Sequence, residues 1–237
     1  MCGRYAASAD ADLLAETFEI DEVAGPLPPA SWNVAPTDQV PAVVERPAAE
    51  GDGTVRKLVP LRWGLVPSWS KDPKGGARMI NARFETVAEK PAFRKALATR
   101  RCLLPADGFY EWYTSENIVG GKPVKQPFFI HPRDGGLYVM AGLYEFWKSP
   151  EGEWLTTCTV ITTQATDELG HIHERMPMVV SPDAWEAWLD PGFEGDPREL
   201  LKVPAPDLEA YMVSRDVNRV ANNSPSLIEP VADSERE

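Results

Sequence analysis

The chain has 237 residues, 43% of them hydrophobic and 25% charged, which suits one globular domain with large loops. No run approaches the length of a membrane span, and the stretch after Met1 is broken by Arg4 and several Asp, so neither a spanning helix nor a signal peptide is expected. The net charge of −12 disfavours a nucleic-acid partner, yet residues 62–101 hold ten Lys/Arg against three acids, a local +7 that leaves −19 for everything else. Phosphate binding responds to local charge; a solvated basic face fits the same numbers.

In chain order, residues 10–19 read as a short amphipathic helix with Leu13, Leu14 and Phe18 on one face and Ser8 or Asp10 as cap. Residues 25–29, Gly-Pro-Leu-Pro-Pro, are too proline-rich for regular structure. Residues 39–45 and 54–63 read as strands around a turn at 50–53, and 64–76 as a long loop carrying Trp69. A helix with proline in its first turn is expected over 91–98. Strand signals then dominate at 102–106, 109–113, 126–130, 137–146 and 154–163, with a loop over 114–124. Ser181-Pro182 and Asp196-Pro197 open two short helices, over 184–189 and 199–202. A last strand follows over 209–214. Many short strands with scattered helices do not make a βαβ alternation. The expected fold is α+β, one domain over 1–230 with a mainly antiparallel, barrel-like core and peripheral short helices. The acidic end, 231–237, reads as a disordered tail.

The cysteines, Cys2, Cys102 and Cys158, are odd in number and far apart. This argues against a disulfide framework and a CxxC zinc site and points to a reducing cytoplasm; no metal or cofactor is expected. Cys2 would become the first residue if Met1 were removed. It would then carry an α-amine and a thiol on adjacent carbons, with ordinary pKa values near 8 and about 8.5. Such a 1,2-aminothiol attacks acyl carbons or condenses with aldehydes to a thiazolidine. Gly3 allows close approach of an electrophile, and Arg4 offers a forked cation to an anion. A frayed terminus with an idle thiol fits these four residues as well.

Glu111, between Tyr110 and Trp112 in an expected strand, has aromatic walls that would disfavour its charged form and lift its pKa toward neutrality. A rim glutamate on an exposed face is the alternative. His173 is one of three histidines and precedes Arg-Met-Pro. It suits a proton shuttle or, equally, a hydrogen-bonded histidine at a turn.

Cys2-Gly3-Arg4, residues 32–37 (Trp-Asn-Val-Ala-Pro-Thr), 63–69 (Trp-Gly-Leu-Val-Pro-Ser-Trp), 81–86 (Asn-Ala-Arg-Phe-Glu-Thr), 105–112 and 173–177 (His-Glu-Arg-Met-Pro) occur in this order. The combination closely resembles the SRAP family, the SOS response-associated peptidases or abasic-site processing proteins, from Cys2 to about Pro230. The resemblance implies an SRAP-like fold and shielding of abasic sites in single-stranded DNA, including single-strand/duplex junctions, by a covalent link through Cys2.

It further implies that Glu111 moves protons during sugar ring opening and Schiff-base formation. His173 would act on the sugar hydroxyl and in reversal, and Asn81 would hold the Cys2 amine. Arg4, Arg83 and, more weakly, Thr162 or Thr163 would grip phosphates, with Gly3 beside them. Trp69 or Phe84 would stack on bases. A monomer in the cytoplasm is expected. Two other functions fit the same residues: a thiol peptidase that uses Cys2 with His173 and unmasks itself by removing Met1, and a non-covalent binder of modified DNA.

Overall fold

The computed structural model describes residues 2–48, 53–119, 121–204 and 206–231. Strands come in the order β1 (Tyr5–Ala7), β2 (Glu22–Val23), β3 (Ser31–Val34), β4 (Gln39–Pro47), β5 (Thr54–Trp63), β6 (Asn81–Arg83), β7 (Arg101–Ala106), β8 (Gly108–Val119), β9 (Lys122–Pro132), β10 (Tyr138–Lys148), β11 (Trp154–Gln164), β12 (Arg175–Pro177) and β13 (Leu208–Met212). The helices are α1 (Ala11–Thr17), α2 (Arg94–Thr99), α3 (Asp167–Gly170) and α4 (Trp185–Leu189), joined by short 3₁₀ turns.

β11, β10, β7, β4 and β5 pair antiparallel in succession, and a parallel contact between β5 and β11 (Cys158↔Trp63) brings the series back to its start. The result is a closed five-stranded barrel, which leaves those strands no open edge. A five-stranded sheet, ordered β13-β9-β8-β1-β3, lies against it. Alternation along each strand sorts the side chains. Val40, Val44, Leu61, Trp63, Cys102, Leu104, Met140, Cys158 and Val160 form one buried cluster with Tyr5, Phe109 and Ile130 of the second sheet. The interior is full at Gly142, where an added Cβ would come within 2.7 Å of the Cys102 sulfur. Outward residues such as Val43, Leu58, Leu103 and Ile161 bury the apolar sides of α1, α2 and α4 through Leu14, Phe18, Leu97 and Trp188. The mainly antiparallel, barrel-like α+β fold expected from the strand spacing is the fold observed.

Differences from the sequence reading are local. Asp10 caps α1 through Leu13 N, but Leu13 itself is 49% exposed and only Leu14 and Phe18 face the core. The loop expected over 114–124 is instead the end of a long hairpin, since β8 and β9 stay paired from Phe109↔Ile130 to Val119↔Lys122, with an irregularity between Thr114 and Ile118. Thr, Ile and Val at its tip carry enough β preference to continue the ladder. The turn at 50–53 falls mostly outside the described residues, as do residues 232–237 of the acidic tail. Arg101, counted in the basic segment, is buried. Its guanidinium donates to the carbonyls of Leu97, Ala98, Trp188 and Asp190, and so ties the C-terminal ends of α2 and α4 together. Arg100 pairs with Glu145 at 2.8 Å. With Arg62 also half-buried, the exposed part of the basic segment is reduced to Lys71, Lys74, Arg78, Arg83, Lys90, Arg94 and Lys95. Among the described residues no helix is long and apolar enough to cross a membrane.

Candidate active site

β1 lies between β3 and β8, with Tyr5 opposite both Val34 and Phe109. The Tyr110 N–H donates to the Arg4 carbonyl at 2.9 Å and continues that ladder toward the start of the chain. Cys2 is thereby carried into the common core and is fully buried, its thiol 3.7 Å from the Arg4 carbonyl. Burial pushes the thiol pKa well up, and the negative charge of Glu111 adds to the rise.

Asn81 opens β6, which pairs parallel with β11 in the register Val160↔Asn81. This aims the side chain at the chain's first residues. Its amide nitrogen donates to the Cys2 carbonyl at 2.7 Å. Its Oδ1 is buried and has no hydrogen-bond partner among the described residues.

Glu111 is 3% exposed. Its neighbours do not wall it in as the sequence reading supposed. Tyr110 and Trp112 point to the opposite face of β8, where Tyr110 joins the cluster of Phe129, Val213 and Val217, and the Trp112 indole donates to Asn218. Glu111 faces the other way, and burial raises its pKa from 4.5 to about 7, partly offset by the positive amino terminus. The expected direction holds, but the cause is the core rather than the flanking rings.

His173 Nδ1 lies 4.0 Å from a Glu111 carboxylate oxygen and accepts the Arg175 backbone N–H at 3.0 Å. A ring nitrogen that accepts carries no proton, so the neutral imidazole has its proton on Nε2. Burial, with the charge of the amino terminus second, lowers the His173 pKa and favours that neutral form. Two residues from the quoted motifs, Glu85 and Arg175, hold this segment without having been assigned a role. The buried Arg175 guanidinium forks onto the Glu85 carboxylate at 2.6 and 3.0 Å and donates to the Thr162 carbonyl at 2.6 Å. A Glu four residues after the Asn of one motif and an Arg two after the His of another give no sign in sequence that the two side chains pair.

The expected DNA-contacting residues divide. Arg83, at the end of β6, and Trp69, in the 64–76 loop, are exposed. Gly3 and Thr163 are half-buried. Thr162 is fully buried, with its carbonyl taken by Arg175 and by Phe84 N, and is not available to a phosphate. Phe84 is half-buried against the outer core cluster, which removes much of its ring from stacking. Arg4 is partly committed to the protein. One guanidinium nitrogen donates to Asn33 Oδ1 at 2.7 Å and to the Val217 carbonyl at 2.8 Å, and the group lies 5.8 Å from the centre of the Trp112 ring. Asn33 in turn donates to the carbonyls of Val217, Arg219 and Asn222, so the 217–222 turn clasps the start of the chain. Among the described residues no group of three or more His, Cys, Asp or Glu is arranged to hold a metal ion.

The model of the SOS response associated peptidase (SRAP) family matches residues 1–220. Abasic site processing protein YoqW of Bacillus subtilis is 43% identical over 97% of this chain and 99% of its own length. Abasic site processing protein HMCES of Gallus gallus is 34% identical over 98% of this chain and 78% of its own. In fold, the chain is similar to a crystal structure from Bacteroides thetaiotaomicron, with a TM-score of 0.79 at 24% identity, covering 98% of this chain and all of that one. The chain belongs to the SOS response associated peptidase (SRAP) family.

Proposed function

We propose that this protein processes abasic sites by capturing them covalently in single-stranded DNA through Cys2, after Met1 is removed. The observation that carries this reading is the convergence of four groups from four strands or their flanks. Asn81 is bonded to the Cys2 backbone, and Glu111 lies beside His173 next to the buried Cys2 thiol. The names of the relatives, abasic site processing proteins, point the same way.

The chemistry follows from the protonation states. A buried thiol with a raised pKa stays S–H near neutrality, so the α-amine attacks first. It adds to the aldehyde of the ring-opened deoxyribose to give a carbinolamine, which loses water to an imine. The thiol then adds across the C=N bond, sulfur to carbon and proton to nitrogen, and closes a thiazolidine with no change in oxidation state. Glu111, with a pKa of about 7, is present in both forms near neutral pH. It protonates the departing hydroxyl and takes the thiol proton. Neutral His173 presents Nε2–H to a sugar oxygen during ring opening and reversal. Asn81 fixes the Cys2 backbone through its nitrogen, and its buried Oδ1 is a ready acceptor for the freed amine. Arg83, Thr163 and Trp69 are the accessible candidates for phosphate and base contacts.

The test is a denaturing gel of the protein with a single-stranded oligonucleotide carrying one abasic site, beside undamaged DNA, with loss of Met1 checked by mass spectrometry. A heat-stable band with the abasic strand only, absent in Cys2→Ala, is expected. Absence of that band from folded protein with Cys2 exposed, or its persistence in Cys2→Ala, would overturn the reading.

A further inference from the structure

β8 does not stop where the core does. Its contact with β1 is made at Gly108 and Phe109 and ends with the Tyr110 N–H to Arg4 carbonyl bond, while its pairing with β9 runs on to the hairpin tip. Strand alternation gives Phe109, Glu111 and Tyr113 one face and Tyr110 and Trp112 the other. Phe109 and Glu111 are buried, whereas Tyr113 is 36% exposed. The inward face of β8 therefore leaves the core between Glu111 and Tyr113, about 6.7 Å apart along the strand, and continues as a wall beyond the buried acid. Opposite Tyr113 stands Gln126, whose amide is turned away to donate to the backbone carbonyls of Pro127 and Val213 at 3.0 and 2.9 Å. The cross-strand polar group is thus tied down, and the phenol is the group of that pair left to meet a ligand.

An abasic nucleotide has no base, so its neighbours in the strand lose a stacking partner. An exposed aromatic ring one step from the group that acts on the sugar is suited to replace it. We propose that Tyr113 is the stacking platform for the nucleobase adjacent to the abasic deoxyribose. The proposal rests on the reading above only in putting the sugar at Glu111. An unpaired base of any identity is the ligand, because every base has a π-face.

The test is equilibrium binding, by fluorescence anisotropy, to single-stranded oligonucleotides in which tetrahydrofuran replaces the abasic sugar. This analogue has no aldehyde, so binding is read without any crosslink. Tyr113→Ala is expected to weaken binding roughly five- to a hundredfold, while Tyr113→Phe and Tyr113→Trp keep it. On an oligonucleotide with a second tetrahydrofuran, 5′ or 3′ of the first, wild type and Tyr113→Ala should bind alike for one of the two positions. Equal binding by Tyr113→Ala and wild type on the first oligonucleotide, or the same loss on all of them, would overturn the proposal. Failure of crosslinking to a true abasic site with this pattern intact would instead count against the covalent chemistry alone.

Discussion

Glu111→Gln separates the stability of the site from its chemistry. The Glu111 pKa in the folded chain is about 7 against an ordinary 4.5, raised by burial. A folded-state value above the unfolded one means that the folded chain holds the proton more tightly. Stability therefore falls as pH rises from about 4.5 to about 7, and the full penalty is present above that window. At 1.36 kcal/mol per pKa unit, the penalty for the ionised group is under about 1 kcal/mol at pH 5 and about 3 kcal/mol at pH 8. Gln removes this pH-dependent part, and its own cost of burial is the same at both pH values. The variant should gain stability relative to wild type by roughly 2 kcal/mol more at pH 8 than at pH 5, or about 4–8 °C for a chain of this length. Thermal melts at both values, beside the rate of crosslink formation, read the two effects together. The rate should fall while the melting temperature relative to wild type is higher at pH 8 than at pH 5. A difference between variant and wild type that does not change from pH 5 to pH 8 would refute burial as the source of the shift.

Other substitutions probe single contacts. His173→Ala should slow release of a preformed crosslink more than its formation, measured by transfer to a competing abasic strand; equal effects on both would contradict the separate role of the imidazole. Arg83→Ala should reduce the slope of log K against log salt by about 0.7 if it meets one phosphate of a single strand. Arg101→Met leaves four carbonyls without their donor and should destabilise the fold by about 3 kcal/mol or more, with the salt slope unchanged. A change in that slope would mean that the buried arginine contributes to the DNA-binding field after all.

The parts legible in the sequence are those with a period of their own. β4, β5, β10 and β11 run for nine to eleven residues, rich in β-branched, aliphatic or aromatic side chains, and announce themselves by that length and composition. β1, β3, β6 and β12 have three or four residues each, too few for a pattern, and exist because a longer strand pairs with them. The same limit explains Trp112. Its neighbour Glu111 looks walled by aromatics in one dimension, but the pleat sends the rings to one face and the carboxylate to the other. Thr162 looked like a polar strand residue available to a phosphate, and only the β6 and β12 strands on either side of it reveal that it is covered. Arg101 likewise counts as basic surface until the ends of α2 and α4 close around it.

Three of the four groups proposed for catalysis ride on, or next to, strands that cannot form alone, and this sets where the site is vulnerable. Asn81 is aimed by Val160 of β11, and Thr162 pairs with Pro177, Thr163 with Met176 and Gln164 with Arg175, whose N–H then sets the His173 ring. One strand thus indexes two of the proposed side chains, one through each neighbour. β8 indexes the other two, holding Glu111 itself and aligning the segment that leads to Cys2 through Phe109 and Tyr110. The two strands meet through the shared core beneath Cys2, where Phe109, Cys158 and Val160 belong to one cluster. A slip of β11 by one residue would turn Val160 out of that core and move Asn81 and His173 together, while leaving Glu111 in place. The coupling runs through the strand pairing on both sides of β11 and the buried apolar contacts that fix its register. Core substitutions at Val160 should therefore disturb Asn81 and His173 jointly, before the chain loses its fold.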